Sequence, residues 1–257
     1  MAHEELKNKP LVEAIFEVRW ALMQKQPGIK IDQHYKILLG RLYDKVSDDY
    51  PVHEQLDSAQ IPDEIMGHTV QHRFRVGKDE WPLMQIGPGI MTINDTRKYT
   101  WPDFKKRSSI AFSKLCEFYP KKEDFKIESL LLRYIDAVDF DPNSINILDF
   151  LKEKMRVDIS LPTKLFGDGI SQIPSLFNWN VSFKCDVPKG IVSLHFATGR
   201  REGRSALIWE TLVQSNGIDL PSMPHEFEIW IESAHKITHD WFFTLIEGEL
   251  ERRFTGE

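Results

Sequence analysis

The run Leu11–Trp20, LVEAIFEVRW, constrains the fold more than any other stretch. Val12, Ala14, Phe16, Val18 and Trp20 share one parity, while Glu13, Glu17 and Arg19 share the other with Leu11 and Ile15. Alternation of this kind marks a β-strand with one face in a core, and Pro10 introduces it. A second run, Phe125–Phe140, is apolar on both parities. Leu130, Leu132, Tyr134, Val138 and Phe140 form one set, and Ile127, Leu131, Ile135 and Ala137 the other. A strand covered on both faces belongs near the middle of a sheet.

Between these strands, Asp32 is placed to cap a helix with apolar positions Tyr35, Leu38, Leu39, Leu42 and Val46, which Pro51 ends. Residues 51–68 read as a loop. Thr69–Val76 alternates as a strand, Gly77–Glu80 turns, and Leu83–Ile93 reads as one returning strand interrupted at Gly87-Pro88-Gly89. A second helix starts near Thr100, with Pro102 in its first turn. The order over residues 10–140 matches that of a ferredoxin-like split unit.

The second half opens with a turn at Asp141-Pro142-Asn143-Ser144 and a short helix through Ile147, Leu148, Leu151 and Met155. Residues 157–175 carry no periodicity. Phe177–Val187 alternates most cleanly of all, and two further strands, Ile191–Thr198 and Ser205–Val213, flank the tip Gly199–Arg204. From Pro224 an apolar stripe at helical spacing runs for about 30 residues, a rod of roughly 45 Å. The expected fold class is α+β: antiparallel sheets with helices on one face, in two sequential strand–helix–strand–strand–helix halves, 1–140 and 141–257, closed by the long helix. The similar order of residues 10–120 and 125–254 also fits a diverged duplication.

The segments PLVEAIFEVRW, LRYIDAV and ESAHKITHDWFFTLIEGEL together resemble a sporadically distributed family of uncharacterised prokaryotic proteins. The likeness spans nearly the whole chain and rests on hydrophobic pattern. It implies a prokaryotic cytosolic protein, and its patchy distribution implies an accessory or defence-associated partner of a neighbouring gene product.

Composition agrees with a cytoplasmic location. The chain has 257 residues, with 41% hydrophobic and 28% charged, within the range of ordinary globular proteins. No apolar run is long enough to span a membrane, and the start, MAHEELKNKP, does not read as a signal peptide. Two cysteines, Cys116 and Cys185, are too few for a disulfide framework. The net charge of −6 is unevenly spread: Pro224–Glu257 holds eight acids against three bases, whereas Arg97–Lys126 holds nine bases against four acids. Pairing of these regions between subunits would make a homo-oligomer.

Three groups of residues carry candidate chemistry. His235 and His239 stand four apart on one helix face, as paired metal ligands do, yet HKITHD lacks the glutamate of a zinc protease. Arg97, Lys98, Lys105, Lys106 and Arg107 surround Tyr99 and Trp101 at a helix N-terminus, where cations meet phosphates and rings stack on bases. The commoner arrangement is Trp101 and Phe104 in the core with the lysines solvated. Arg200, Arg201 and Arg204 crowd a hairpin tip, a place for phosphate or an acidic partner. A weaker idea is a nucleotide tunnel lined by Glu17, Arg19, Arg73, Arg75 and Arg133.

No phosphate-binding glycine loop, nucleophile elbow or paired catalytic acids occur, and no cofactor is expected. The sequence reading is a non-catalytic binding or interaction protein with a protein partner. Its alternatives are a nucleic-acid or phosphate binder and, third, a metal-dependent hydrolase.

Overall fold

A computed structural model describes residues 6–63, 65–96 and 98–257. The strands are β1 (Leu11–Trp20), β2 (Met23–Gln26), β3 (Ile29–Ile31), β4 (Val52–Gln55), β5 (His72–Arg75), β6 (Leu83–Gly87), β7 (Ile90–Asp95), β8 (Ile127–Asp139), β9 (Asn178–Asp186), β10 (Lys189–Arg201) and β11 (Arg204–Asn216). The helices are α1 (Tyr35–Val46), α2 (Trp101–Phe118), α3 (Ile147–Met155), α4 (Phe227–Ile246) and α5 (Glu249–Thr255). Nine strands form one antiparallel sheet in the order β4-β5-β6-β7-β1-β8-β11-β10-β9, and β2 and β3 form a separate hairpin.

The two strands singled out in the sequence sit side by side at the centre of this sheet. Phe16 faces Leu132 across the β1–β8 ladder and Ile93 across the β1–β7 ladder. Ala14, Phe16, Val18 and Trp20 are fully buried under the helices. Helices α1 to α4 all lie on that face. Tyr35, Leu38, Leu42 and Val46 of α1 and Phe104, Ala111, Phe112 and Leu115 of α2 join the core of the first half. Phe150, Leu151 and Met155 of α3 join that of the second. Helix α4 belongs to both: Phe227, Trp230, Ile231 and Ala234 pack in the first cluster, Leu245 and Ile246 in the second.

Strand order is similar on the two sides of the β1–β8 junction, with five strands on the β1 side and four on the β8 side. β1 lies beside β7, the last strand of a meander, and β8 lies beside β11, the last strand of another. β1 is followed by the β2–β3 hairpin, a helix, a four-strand meander and a second helix, and β8 by a helix, a three-strand meander and a second helix. β8 pairs with β1 on one side and β11 on the other, and a single sheet therefore runs through both halves. All neighbours in it are antiparallel, including both partners of β1.

Four local expectations need correction. Leu83–Ile93 is two strands, β6 and β7, with Gly87 opposite Ile90 across a tight turn. The glycines enable it: a Cβ at Gly87 would lie 1.8 Å from the Thr69 carbonyl oxygen, and Gly89 has φ +75°. The stretch 51–68 contains edge strand β4 and a 3₁₀ turn at Asp57–Gln60. Asp32 precedes the cap residue His34, and its carboxylate turns inward to accept from Trp20 Nε1 at 2.7 Å and Tyr119 Oη at 3.2 Å. The closing rod breaks at Glu247-Gly248, where Gly248 takes φ +110°, so α4 has 20 residues and spans about 30 Å.

Candidate ligand-binding cavity

Between the two core clusters the packing leaves a cavity of about 310 Å³. Five segments wall it. The stretch entering β1 brings Leu6, Lys9, Pro10 and the strand's first residue, Leu11; the start of α2 brings Tyr99, Thr100 and Trp101; β8 and β11 bring Tyr134, Asp136 and Thr211; α4 brings His235, Thr238, His239, Phe242 and Phe243. The walls are mostly apolar and aromatic, with a few polar groups gathered at the sheet, as in small-molecule sites.

The floor is set by sheet register. On the core-facing parity of β8, the series Leu130, Leu132, Tyr134 continues as Asp136 before returning to Val138 and Phe140. Across the ladder, Thr211 stands opposite Tyr134 and Trp209 opposite Asp136. Asp136 is 2% exposed and Thr211 1%. Asp136 Oδ2, Thr211 Oγ1 and Trp209 Nε1 are all buried without a hydrogen-bond partner. Buried polar atoms in folded proteins are nearly always paired, so the two unmet groups that line the cavity, Asp136 Oδ2 and Thr211 Oγ1, set it apart from ordinary core.

Burial raises the Asp136 carboxyl to about 8, and the nearby Arg201 charge only partly opposes this. The acid is therefore mostly protonated at neutral pH. Arg201 itself ties backbone together, its Nη1 donating to the carbonyls of Ala137 at 2.9 Å and Pro10 at 3.4 Å.

A relay of hydroxyls lines one side. Tyr99 Oη and Tyr134 Oη are 2.8 Å apart, and Tyr134 Oη lies 3.0 Å from His235 Nδ1. Burial pushes both phenols up and holds the His235 imidazolium down to about 3, with His239 adding to the effect. The neutral His235 ring stacks on Trp101 at 3.7 Å and 10°. His239 meets His235 edge-on at 5.5 Å and Phe243 at 4.7 Å.

The structure thus brings four of the sequence-selected residues to one cavity: Tyr99, Trp101, His235 and His239. Both aromatic rings proposed for base stacking are wall residues with partners of their own. Among the described residues no group of three or more His, Cys, Asp or Glu side chains is placed to hold a metal ion. Asp136 and Thr211, the two polar floor residues, escaped the sequence reading. Their signal was an acid and a hydroxyl on the inward parity of strands otherwise apolar there.

The basic residues spread elsewhere. Arg97 lies outside the described residues, and Lys98 and Lys106 are exposed. Lys105 pairs with Glu232 at 2.6 Å and Glu228 at 3.3 Å on α4, and Arg107 with Asp103 at 2.7 Å. At the hairpin tip Arg200 is exposed, and Arg204 pairs with Asp139 at 3.0 Å. Arg201, Arg204 and Arg253 border an open depression shared with Asp139 and Glu202. The five tunnel residues all lie on the sheet face away from the helices, where Arg19 pairs with Glu17, Arg73 and Arg75 with Glu54, and Arg133 with Glu210. No helix of the described residues is long and apolar enough to cross a membrane. No protein-family model and no curated protein sequence matches this chain.

Proposed function

We propose that this chain is a binding protein whose ligand is a small organic molecule held in the cavity between α2, α4 and the β8–β11 ladder. The observation that carries this reading is the pair of unmet polar atoms, Asp136 Oδ2 and Thr211 Oγ1, in the floor of an aromatic-walled cavity. A folded chain leaves such groups unpaired at a cost of about 1–3 kcal/mol each. A ligand that meets them recovers that cost on binding. The test is a small-molecule fragment screen by thermal shift and ligand-observed NMR, repeated on Thr211→Val and Phe242→Ala. Hits that weaken in both variants support the cavity. Hits indifferent to both, or none at all, refute it.

A second reading, a protein partner or second subunit, draws support from the sheet edge. β9 is an outer strand of nine residues, and Phe183 on it is 52% exposed, with Val187 just beyond at 71%. An open edge with apolar side chains pairs readily with another strand. Phe183→Lys removes such an association, measured by sedimentation velocity, if this reading is right.

A further inference from the structure

The cavity floor carries a single acid, Asp136, buried on the inward face of β8. Asp136 is an acid placed where an asparagine would offer a neutral ligand much the same hydrogen bonds without the cost of burying a carboxyl group. Neither surrounding cation hydrogen-bonds the carboxyl: Arg201 Nη1 donates to the Ala137 and Pro10 carbonyls and Lys9 Nζ to the Tyr99 carbonyl at 2.9 Å, though both keep their charge. His235 stays neutral. Ionised Asp136 accepts at its unmet Oδ2 and the Thr211 hydroxyl can accept beside it, and Tyr99, Trp101, Tyr134, Phe242 and Phe243 present aromatic surface around them. Ring faces attract cations, most strongly where water is excluded. An anionic ligand meets unfavourable ring faces and, once Asp136 ionises, a like charge at the floor.

On the reading that this cavity holds a ligand, we propose that the ligand is a protonated organic amine, a primary or secondary ammonium group on an apolar body. The ammonium donates to Asp136 and Thr211, and the body lies against the aromatic walls. Binding requires the ionised form of Asp136, so it releases a proton from the protein at neutral pH. The other titratable or charged groups around the floor are Lys9, Tyr99, Tyr134, Arg201, His235 and His239, with Asp95 and Glu232 acting on the two phenols from a distance. A variant at Asp136 separates its titration from theirs.

The experiment is calorimetric titration of the full chain with three probes of one shape: phenethylamine, 2-phenylethanol and 3-phenylpropionate. Each is measured at about pH 6 and about pH 9, on wild type and on Asp136→Asn. An aliphatic amine stays protonated to about pH 10, so the pH dependence reports the protein. The expected result is binding of phenethylamine that tightens by roughly two orders of magnitude between those pH values, following ionisation of Asp136 near 8. In Asp136→Asn that affinity falls at least about tenfold and its pH dependence disappears; Thr211→Val weakens it several-fold. Equal or tighter binding of the alcohol or the carboxylate overturns the amine and leaves the cavity standing. So does amine binding unchanged in Asp136→Asn. Failure of all three probes to bind at millimolar concentration overturns the amine and the ligand-binding reading together.

Discussion

Asp136 makes the stability of this fold depend on pH in a direction opposite to that of most carboxylates. In the unfolded chain an aspartate titrates near about 3.9; in the fold, burial moves Asp136 to about 8. Between those values the folded state holds one more proton than the unfolded state, so stability falls as pH rises through that window and is fully present only below it. Asp136→Asn has nearly the same shape and does not titrate. The stability difference between variant and wild type should therefore grow with pH by about 1.4 kcal/mol per unit over most of the window. From about pH 5 to about pH 7.5 this amounts to about 3 kcal/mol in favour of the asparagine variant. Any constant penalty from the new amide cancels in the comparison. Urea unfolding of both proteins at both pH values measures it, with equal slopes against denaturant confirming that the same surface is exposed. A difference that changes by less than about 0.5 kcal/mol, or in the opposite direction, would refute the burial of a lone acid at this position.

Two further predictions test the frame around the site. Asp32→Ala removes the acceptor of Trp20 Nε1, Tyr119 Oη and the Gly89 amide, all in buried surroundings, and should cost about 3–5 kcal/mol by chemical denaturation; a loss below about 1 kcal/mol would mean that water replaces it. His235, held neutral to about 3, should show no imidazole titration by NMR between about pH 5 and pH 8, where an unperturbed histidine changes charge.

How much of this fold can be read from the chain depends on the period of each element. β1 is legible because a long alternating run has few competing explanations, and β8 because apolar residues on both parities require cover on both faces; the two pair at the centre of the sheet. Short elements are different. β4 has four residues and sits at the sheet edge, where one side needs no partner and polar residues are tolerated, so its sequence resembles a loop. The turn between β6 and β7 is hidden because each glycine reads equally well as a bulge. Its necessity comes from the Thr69 backbone, a contact invisible in a one-dimensional pattern. The break at Gly248 follows the same logic, since an apolar stripe continues through Leu250 and Phe254 on a helix that has changed direction.

The cavity was half legible, and the missing half is the more informative. Histidines four apart and a tryptophan beside a helix start attract notice because known sites use them. Here they serve as walls, tied to one another by stacking and by the tyrosine pair. The floor residues attract none, because an isolated aspartate or threonine in a strand reads as the solvent parity. What distinguishes Asp136 is position: it interrupts a core-facing series of Leu130, Leu132, Tyr134, Val138 and Phe140, four of which are at most 5% exposed and the fifth, Tyr134, 9%. Thr211 interrupts another between Trp209 and Val213, both fully buried. Each interruption alone is a tolerable core defect. Register places them on adjacent strands under the same gap between helices. Coincidence in space of two independent breaks in a hydrophobic pattern is what a binding floor requires.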